Sequence, residues 1–369
     1  MSGFGVDYTS TVAATLDDWG HNVEVLQFAA HDQLDRVTVT TASVSRTIDQ
    51  KYDTSVTHYG RWAHNWVLYK RWYQIVTSHL KDNYYDVVLT DRICTTPTVR
   101  AASTVGVSSV ILTTGPAAVR YDSSDDSVDK TPSFPSLPVS KKIQYPFIKS
   151  IHRQNEDAFT TADEVIALSE FDASITNETF GRTPRCIYLP VKLDEYTVDI
   201  WEPTAVTMAN PRNERKGLDI FLSVARNFPD VEFQVVGKLH EGVDRSVFAK
   251  QDNVRYLGWV DNMKEVYKNT KVLMIPSKYQ EGGPRLVPEA FANSIPVIGS
   301  DLGGTPDYIG NGGEIVSDVH SIQEWVSTLE KLLTDDEYYQ MKSSFARERS
   351  SLFALNSQVG KLESILQSV

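Results

Sequence analysis

Glu281-Gly-Gly-Pro-Arg-Leu-Val-Pro-Glu-Ala290 sets two carboxylates on either side of seven residues that open as a glycine turn, and a second segment, Ile295 to Asp307, follows closely. Ahead of it, Val272-Leu-Met-Ile-Pro276 reads as a buried parallel strand, because a short apolar run bounded by turn residues keeps no polar face for water. Ser277 to Gly283 leaves that strand as a polar loop, and ligands of open α/β sheets gather at such strand ends. Beyond Pro284 the apolar residues Leu286, Val287, Ala290 and Phe291 recur at helical spacing, so the loop is predicted to feed a helix, with Pro288 inside its first turn.

A helix start offers unpaired N–H groups and partial positive charge, a setting that stabilises a phosphate. If the stretch were wholly helical, Glu281 and Glu289 would stand about 12 Å apart, a span that suits the two ends of one extended ligand. Two solvated glutamates are the ordinary reading of such a pair. The context points elsewhere: the strand before, the glycines between, and the Ile295-to-Ile298 strand ending in Gly299-Ser-Asp-Leu-Gly-Gly304 make one strand–loop–helix–strand–loop unit.

On these residues the chain resembles the family 4 retaining glycosyltransferases of the GT-B fold. Their hallmark is this Glu-x7-Glu segment followed by Pro-Val-x-x-Ser-Asp-x-Gly-Gly-x-Pro-Glu, here Pro296-Val-Ile-Gly-Ser-Asp-Leu-Gly-Gly-Thr-Pro-Asp307. The resemblance implies that Glu281 contacts the donor sugar and Glu289 the nucleotide ribose, while the backbone from Gly283 through Arg285 to Leu286 holds the phosphates. Pro284 departs from the pattern, standing where such enzymes usually carry glycine and lacking an amide to donate.

With 369 residues the chain is long enough for two domains, each with its own core. A net charge of −12 argues against general nucleic-acid binding and fits a soluble, acidic enzyme. Cys94 and Cys186 lie far apart, without the spacing of a zinc site or a redox pair, and read as packed thiols in a reducing compartment. There is no apolar run of bilayer length and no signal-peptide layout, so the expected place is the cytoplasm or the inner membrane surface.

Strands and helices alternate through the C-terminal half: Val206 to Ala209, a helix from Gly217 to Asn227, Val231 to Val236, Val254 to Leu257, a helix from Met263 to Asn269, then the elements above. Such alternation predicts a parallel sheet covered by helices. The N-terminal half repeats it more weakly, with a helix from Ser10 to Trp19 and strands at Asn22 to Phe28, Val87 to Thr90 and Val110 to Thr113, and Glu164 to Glu170 is a further strand and turn that resembles the last strand of the family's first domain. Asp122 to Lys142 reads as a mobile loop. The division predicted is 1–190 as an acceptor-side domain, 191–350 as the nucleotide-sugar domain, and 351–369 as a helix that, by resemblance, crosses back to the first.

Ala209-Asn-Pro-Arg-Asn-Glu-Arg-Lys-Gly217 joins a strand to a helix, so its side chains project from a strand's C-terminal end. Lys216 is the candidate for neutralising a departing diphosphate, with Arg212, Arg215 and Arg285 as further cations. Leu257-Gly-Trp-Val-Asp261 resembles the loop on which the family seats the nucleotide base. That places Trp259 and Val260 at the donor, unless Trp259 is a core residue.

Gly3-Phe-Gly5 and the helix after it resemble the family's glycine loop, which lies over donor phosphate and acceptor. The strand that should precede the loop is missing, since the chain begins two residues before Gly3. A truncated start, a Met1 that is not the natural N-terminus and a rebuilt domain are the explanations. Thr114 stands where family members often place a histidine; it donates a hydrogen bond but is no acid near neutral pH. His58, His64 and His79 read as surface or packing residues. Lys141 to Arg153 mixes basic and apolar residues, a composition suited to an anionic membrane surface or to a half-buried segment.

The fold class expected is α/β, GT-B, with two Rossmann-like doubly wound domains facing a central cleft. The implied activity is retaining, hexosyltransferase-type transfer from a nucleoside-diphosphate sugar to a hydroxyl acceptor, without metal or other cofactor. A non-catalytic nucleotide-sugar-binding subunit, a GT-B epimerase or phosphorylase, and a purely structural protein are the alternatives.

Overall fold

The apolar runs of the C-terminal half become strands buried on both faces, which a parallel sheet requires. A computed structural model of the chain describes residues 4–30, 33–40, 45–49, 61–115, 134–137, 139–199 and 203–369. By its internal contacts the chain divides into two units. One comprises Met1–Ala167, Ala173–Pro190 and Asn356–Val369, and the other Leu168–Asp172 and Val191–Leu355.

The first unit opens with α1 (Phe4–Asp18) and an antiparallel sheet of β1 (Val25–Ala30), β2 (Gln33–Thr40) and β3 (Ser45–Asp49). Then come α2 (Arg61–Asp82), β4 (Val87–Asp91), α3 (Thr95–Val105), β5 (Ser108–Thr113), α4 (Val139–Lys142), α5 (Tyr145–Thr161), β6 (Glu164–Ala167), α6 (Glu170–Phe180) and β7 (Arg185–Cys186). Strands β4 to β7 pair in parallel and in sequence order. Trp72, Ile75, Val76 and Leu80 of α2 pack on Ala101 and Ala102 of α3, and the Trp72 indole donates to Thr98 Oγ1 at 2.8 Å.

In the second unit β8 (Ala205–Ala209), α7 (Leu218–Ala225), β9 (Phe233–Val236), β10 (Val254–Gly258), α8 (Lys264–Tyr267), β11 (Thr270–Ile275), α9 (Leu286–Phe291), β12 (Val297–Ser300), α10 (Thr305–Ile309) and β13 (Gly313–Val316) precede α11 (Ile322–Thr334) and α12 (Asp336–Ser350). All six strands are parallel, in the order β10-β9-β8-β11-β12-β13. Phe221, Phe233, Trp325 and Leu329 anchor the core against the sheet. Ser321 and Asp335 cap α11 and α12 by accepting from Glu324 N–H and Tyr338 N–H. The last helix, α13 (Leu355–Leu366), bonds within the first unit, where Gln358 Oε1 accepts from Tyr188 N–H at 3.0 Å and Glu363 meets His21 at 2.6 Å.

The architecture is GT-B, with two Rossmann-like parallel sheets. Two local expectations change. Helix α1 begins at Phe4, so Gly5 lies in a helical turn rather than in a glycine loop, and Gly3 falls outside the described residues. No proline or second glycine interrupts Val6 to Asp18, and one glycine costs a helix only about 1 kcal/mol. The end of the segment expected as a loop is also helical, since α4 covers Val139–Lys142; most of the rest, and His58, lie outside the described residues.

Candidate active site at the switch point of the second sheet

Strand order reverses between β8 and β11: the chain winds from β8 outward through β9 and β10, and from β11 outward through β12 and β13. Loops leaving two such neighbours diverge to opposite faces and leave a crevice at their C-terminal ends. The β8 loop carries Arg212, Arg215 and Lys216, and the β11 loop carries Glu281, Gly283 and Arg285.

The two loops are pressed together. Lys278 N–H donates to Arg215 C=O at 2.6 Å. Gly217 has a left-handed φ of 77° and sits so close to Pro276 that an added Cβ would overlap its carbonyl oxygen. That approach brings Lys216 Nζ to 2.9 Å from Glu281 Oε2, while Ser277 Oγ donates to Glu281 Oε1. The lysine side chain is 25% exposed and the glutamate 12%, so the pair is sheltered but reachable.

Burial disfavours the charged form of Lys216, but the Glu281 carboxylate and then Tyr279 outweigh it and hold the ammonium's pKa above its ordinary value. The Tyr279 ring centroid lies 5.3 Å from that ammonium and 4.9 Å from the Arg215 guanidinium. Burial, followed by Glu281, raises the Tyr279 phenol in turn. An ammonium fixed in charge at a strand end is suited to meeting a diphosphate.

The second sequence segment fixes the glutamate's backbone. Gly303, at φ 65°, bridges to Glu281, and Gly304 N–H donates to Glu281 C=O at 2.6 Å. Gly283 rests on the Tyr308 ring, and Tyr308 O–H donates to Leu168 C=O at 2.9 Å. Asp307 accepts from Glu170 N–H at 2.8 Å. The Gly-Gly-Thr-Pro-Asp stretch thus acts as a buttress behind the acid.

Eight residues on, Glu289 is 5% exposed. Its Oε2 accepts from Tyr267 O–H at 2.8 Å and its Oε1 from Arg285 Nε at 3.0 Å. Arg285 Nη2 donates to Tyr196 O–H at 2.6 Å. Helix α9 is a short turn, so its macrodipole offers less to a phosphate than the sequence suggested.

Leu286 and Val260 pack together with Ala209, Val236, Val266 and Met263, joining the ends of β8 and β9 to the turn. Trp259 is 57% exposed, which removes the core alternative; its indole donates to Asp261 Oδ1 at 3.0 Å, and Lys238 lies 5.4 Å from its ring. Trp259 lines a cavity of about 500 Å³ with Lys238, His240, Arg245 and Tyr256 at the ends of β9 and β10. Arg212 and Arg215 are exposed.

Thr114 and Gly5 belong to the first unit, where Thr114 is half-buried just past β5. His79 is engaged with Glu24 and Tyr85, and burial lowers the pKa of His64. Sequence reasoning missed Ser277, Tyr279, Tyr267 and Tyr196. Ser277 and Tyr279 flank the acid in the same loop and were legible in principle; Tyr196, 85 positions before Glu281, carries no signal.

Residues 202–349, which contain Lys216, Glu281, Arg285 and Glu289, match the family described as Glycosyl transferases group 1. A D-inositol 3-phosphate glycosyltransferase of Corynebacterium aurimucosum is 29% identical over 101 residues, covering 27% of this chain and 24% of that protein. The matched stretch spans about a quarter of the length of such curated relatives. Among solved structures, a glycosyltransferase from Rickettsia africae superposes with a TM-score of 0.71 at 15% identity, covering 100% of this chain and 96% of that one. Anabaena HepE in complex with UDP gives 0.64 at 16% identity, over 82% of each chain.

Because Gly217 combines a left-handed φ with a close backbone approach, Gly217→Ala is expected to cost about 3 kcal/mol or more, adding left-handed strain to overpacking. Urea denaturation of the two proteins checks this; equal midpoints would mean that the loops are not held together here.

Proposed function

We propose that the chain is a retaining glycosyltransferase that moves a sugar from a nucleoside-diphosphate sugar to a hydroxyl acceptor. The observation that carries this reading is the Lys216–Glu281 pair at the switch point, 2.9 Å apart and backed by the Gly303-Gly304 loop. The family match across residues 202–349 and the UDP bound to HepE support it.

In this reading the incoming diphosphate competes with Glu281 for the Lys216 ammonium, and the freed carboxylate orients hydroxyls of the donor sugar. The bond from the anomeric carbon to the phosphate oxygen breaks as negative charge grows on the diphosphate, where Lys216 stabilises it. The acceptor oxygen then bonds to the same face of that carbon, and its proton passes to the leaving phosphate oxygen. Pro284, which has no N–H, and Thr114, which is no acid, favour one second reading: a subunit that binds the donor without transferring it.

A thermal-shift panel of UDP-, GDP-, ADP- and dTDP-sugars identifies the donor, because a ligand of the native state raises the melting temperature by mass action. NMR of the product with that donor is expected to show the donor's own anomeric configuration. Lys216→Ala should cut turnover by about a hundredfold while the fold persists. Donor binding without transfer or hydrolysis would select the second reading, and no shift with any donor would reject both.

Peripheral membrane contact is a further part of the proposal. Among the described residues no helix is long and apolar enough to cross a membrane. Val139 and Ile143 are exposed at 76% and 68%, and Lys141, Lys142, Lys149 and Arg153 flank them without an intervening acid. Vesicles containing phosphatidylglycerol should sediment the protein at low salt, whereas phosphatidylcholine vesicles should not. Equal recovery with both would remove the contact.

A further inference from the structure

The Lys216 ammonium has two neighbours that differ in kind. Glu281 Oε2 is a charged one, 2.9 Å from Nζ, and the Tyr279 ring is an uncharged one, its centroid 5.3 Å from the same atom. The face of an aromatic ring carries partial negative charge and attracts a cation within about 6 Å of its centroid. The Arg215 guanidinium lies 4.9 Å from that centroid, so one ring gathers the cations of two consecutive residues. Tyr279 and Lys216 are both half-buried, and water screens their contact only in part.

The ring is held by its neighbours on either side. Lys278 is fastened to the segment after β8 twice, by its N–H to Arg215 C=O at 2.6 Å and by Nζ to Asp219 Oδ1 at 2.9 Å. Two positions beyond Tyr279, Glu281 is pinned by the Gly303 bridge and by Gly304 N–H at 2.6 Å. Burial, and after it Glu281, raises the pKa of the Tyr279 phenol, so the ring meets the ammonium as a neutral phenol and not as a rival anion.

Glu281 cannot hold the lysine and serve the donor at once. When a diphosphate draws the ammonium away, the lysine gives up its 2.9 Å contact, and its flexible four-carbon stem is free to take other rotamers. The Tyr279 ring takes no part in that exchange. We propose that Tyr279 is a positioning residue: its ring keeps the Lys216 ammonium at the crevice while the diphosphate displaces Glu281 from it. An aromatic face suits this task better than a second carboxylate would, because it attracts the cation without neutralising the charge that the diphosphate needs. This inference rests on the donor-binding reading above.

Calorimetry with UDP, GDP, ADP and dTDP finds the nucleoside diphosphate that the wild type binds best, and the variants are titrated with it. Tyr279→Phe keeps the ring face and should bind within about twofold of the wild type. Tyr279→Leu keeps an apolar side chain without that face and should bind about threefold to thirtyfold more weakly, the range of cation–π contacts from open to sheltered sites. In a Lys216→Ala background the same change to leucine should alter affinity by less than about twofold, because the ring acts through the ammonium.

If Tyr279→Leu does not fold, phenylalanines bearing successively more ring fluorines at position 279 replace it. Fluorine withdraws charge from the ring face at nearly constant shape, so affinity should fall stepwise along the series, which a packing role would not produce. Equal affinity across that series, undiminished affinity in Tyr279→Leu, equal losses in the phenylalanine and leucine variants, or a loss that persists in the Lys216→Ala background would overturn the inference while leaving donor binding intact. Failure of the wild type to bind any of the four nucleotides would instead reject the donor-binding reading, and this inference with it.

Discussion

The site depends on one close approach, that of the loop after β8 to the end of β11. Gly217 makes it possible, since any side chain there would collide with the Pro276 carbonyl, and its left-handed φ turns the chain so that the preceding lysine faces Glu281. Sheet topology supplies the reason for the meeting. With β8 and β11 adjacent and the connections winding away on both sides, their two C-terminal loops flank one crevice. The charge arrangement follows from that backbone contact.

Around this contact the unit is built to resist displacement. Strands β8, β9, β11 and β12 are buried on both faces, so their ends are fixed by packing rather than by the loops they carry. The Gly303-Gly304 turn pins the backbone of Glu281 from behind, and Tyr308 and Asp307 secure that turn to Leu168 and Glu170. The two acids of the motif then divide: one is poised at the crevice against a lysine, the other is withdrawn beneath an arginine. The sequence writes the two acids alike, but one is paired with a lysine and partly open, and the other is buried between Tyr267 and Arg285.

Much of this was legible from the sequence. Continuous apolar runs such as Val272 to Ile275 and Val206 to Ala209 marked strands buried on both faces, and the glycine-interrupted stretches marked the loops that carry polar groups. Lys216 and Glu281, 65 positions apart, were both singled out because each lies just past a predicted strand; their contact depends on strand order, which the sequence does not display. The local signal ran out wherever partners were distant: Tyr196 and Tyr267 meet Arg285 and Glu289 only through tertiary packing. In the N-terminal half, the antiparallel strands β2 and β3 and the early start of α1 left weak patterns because their residues are mixed in polarity, and Gly5 resembled a loop glycine while lying in a helix.

Amide hydrogen exchange with and without the nucleoside diphosphate that binds best tests most directly that this crevice is the donor site. Binding at the switch point predicts added protection in two stretches together, Asn210 to Gly217 and Ser277 to Leu286, with little change along α11 and α12. Nucleotide binding that protects neither stretch would contradict the assignment of the site.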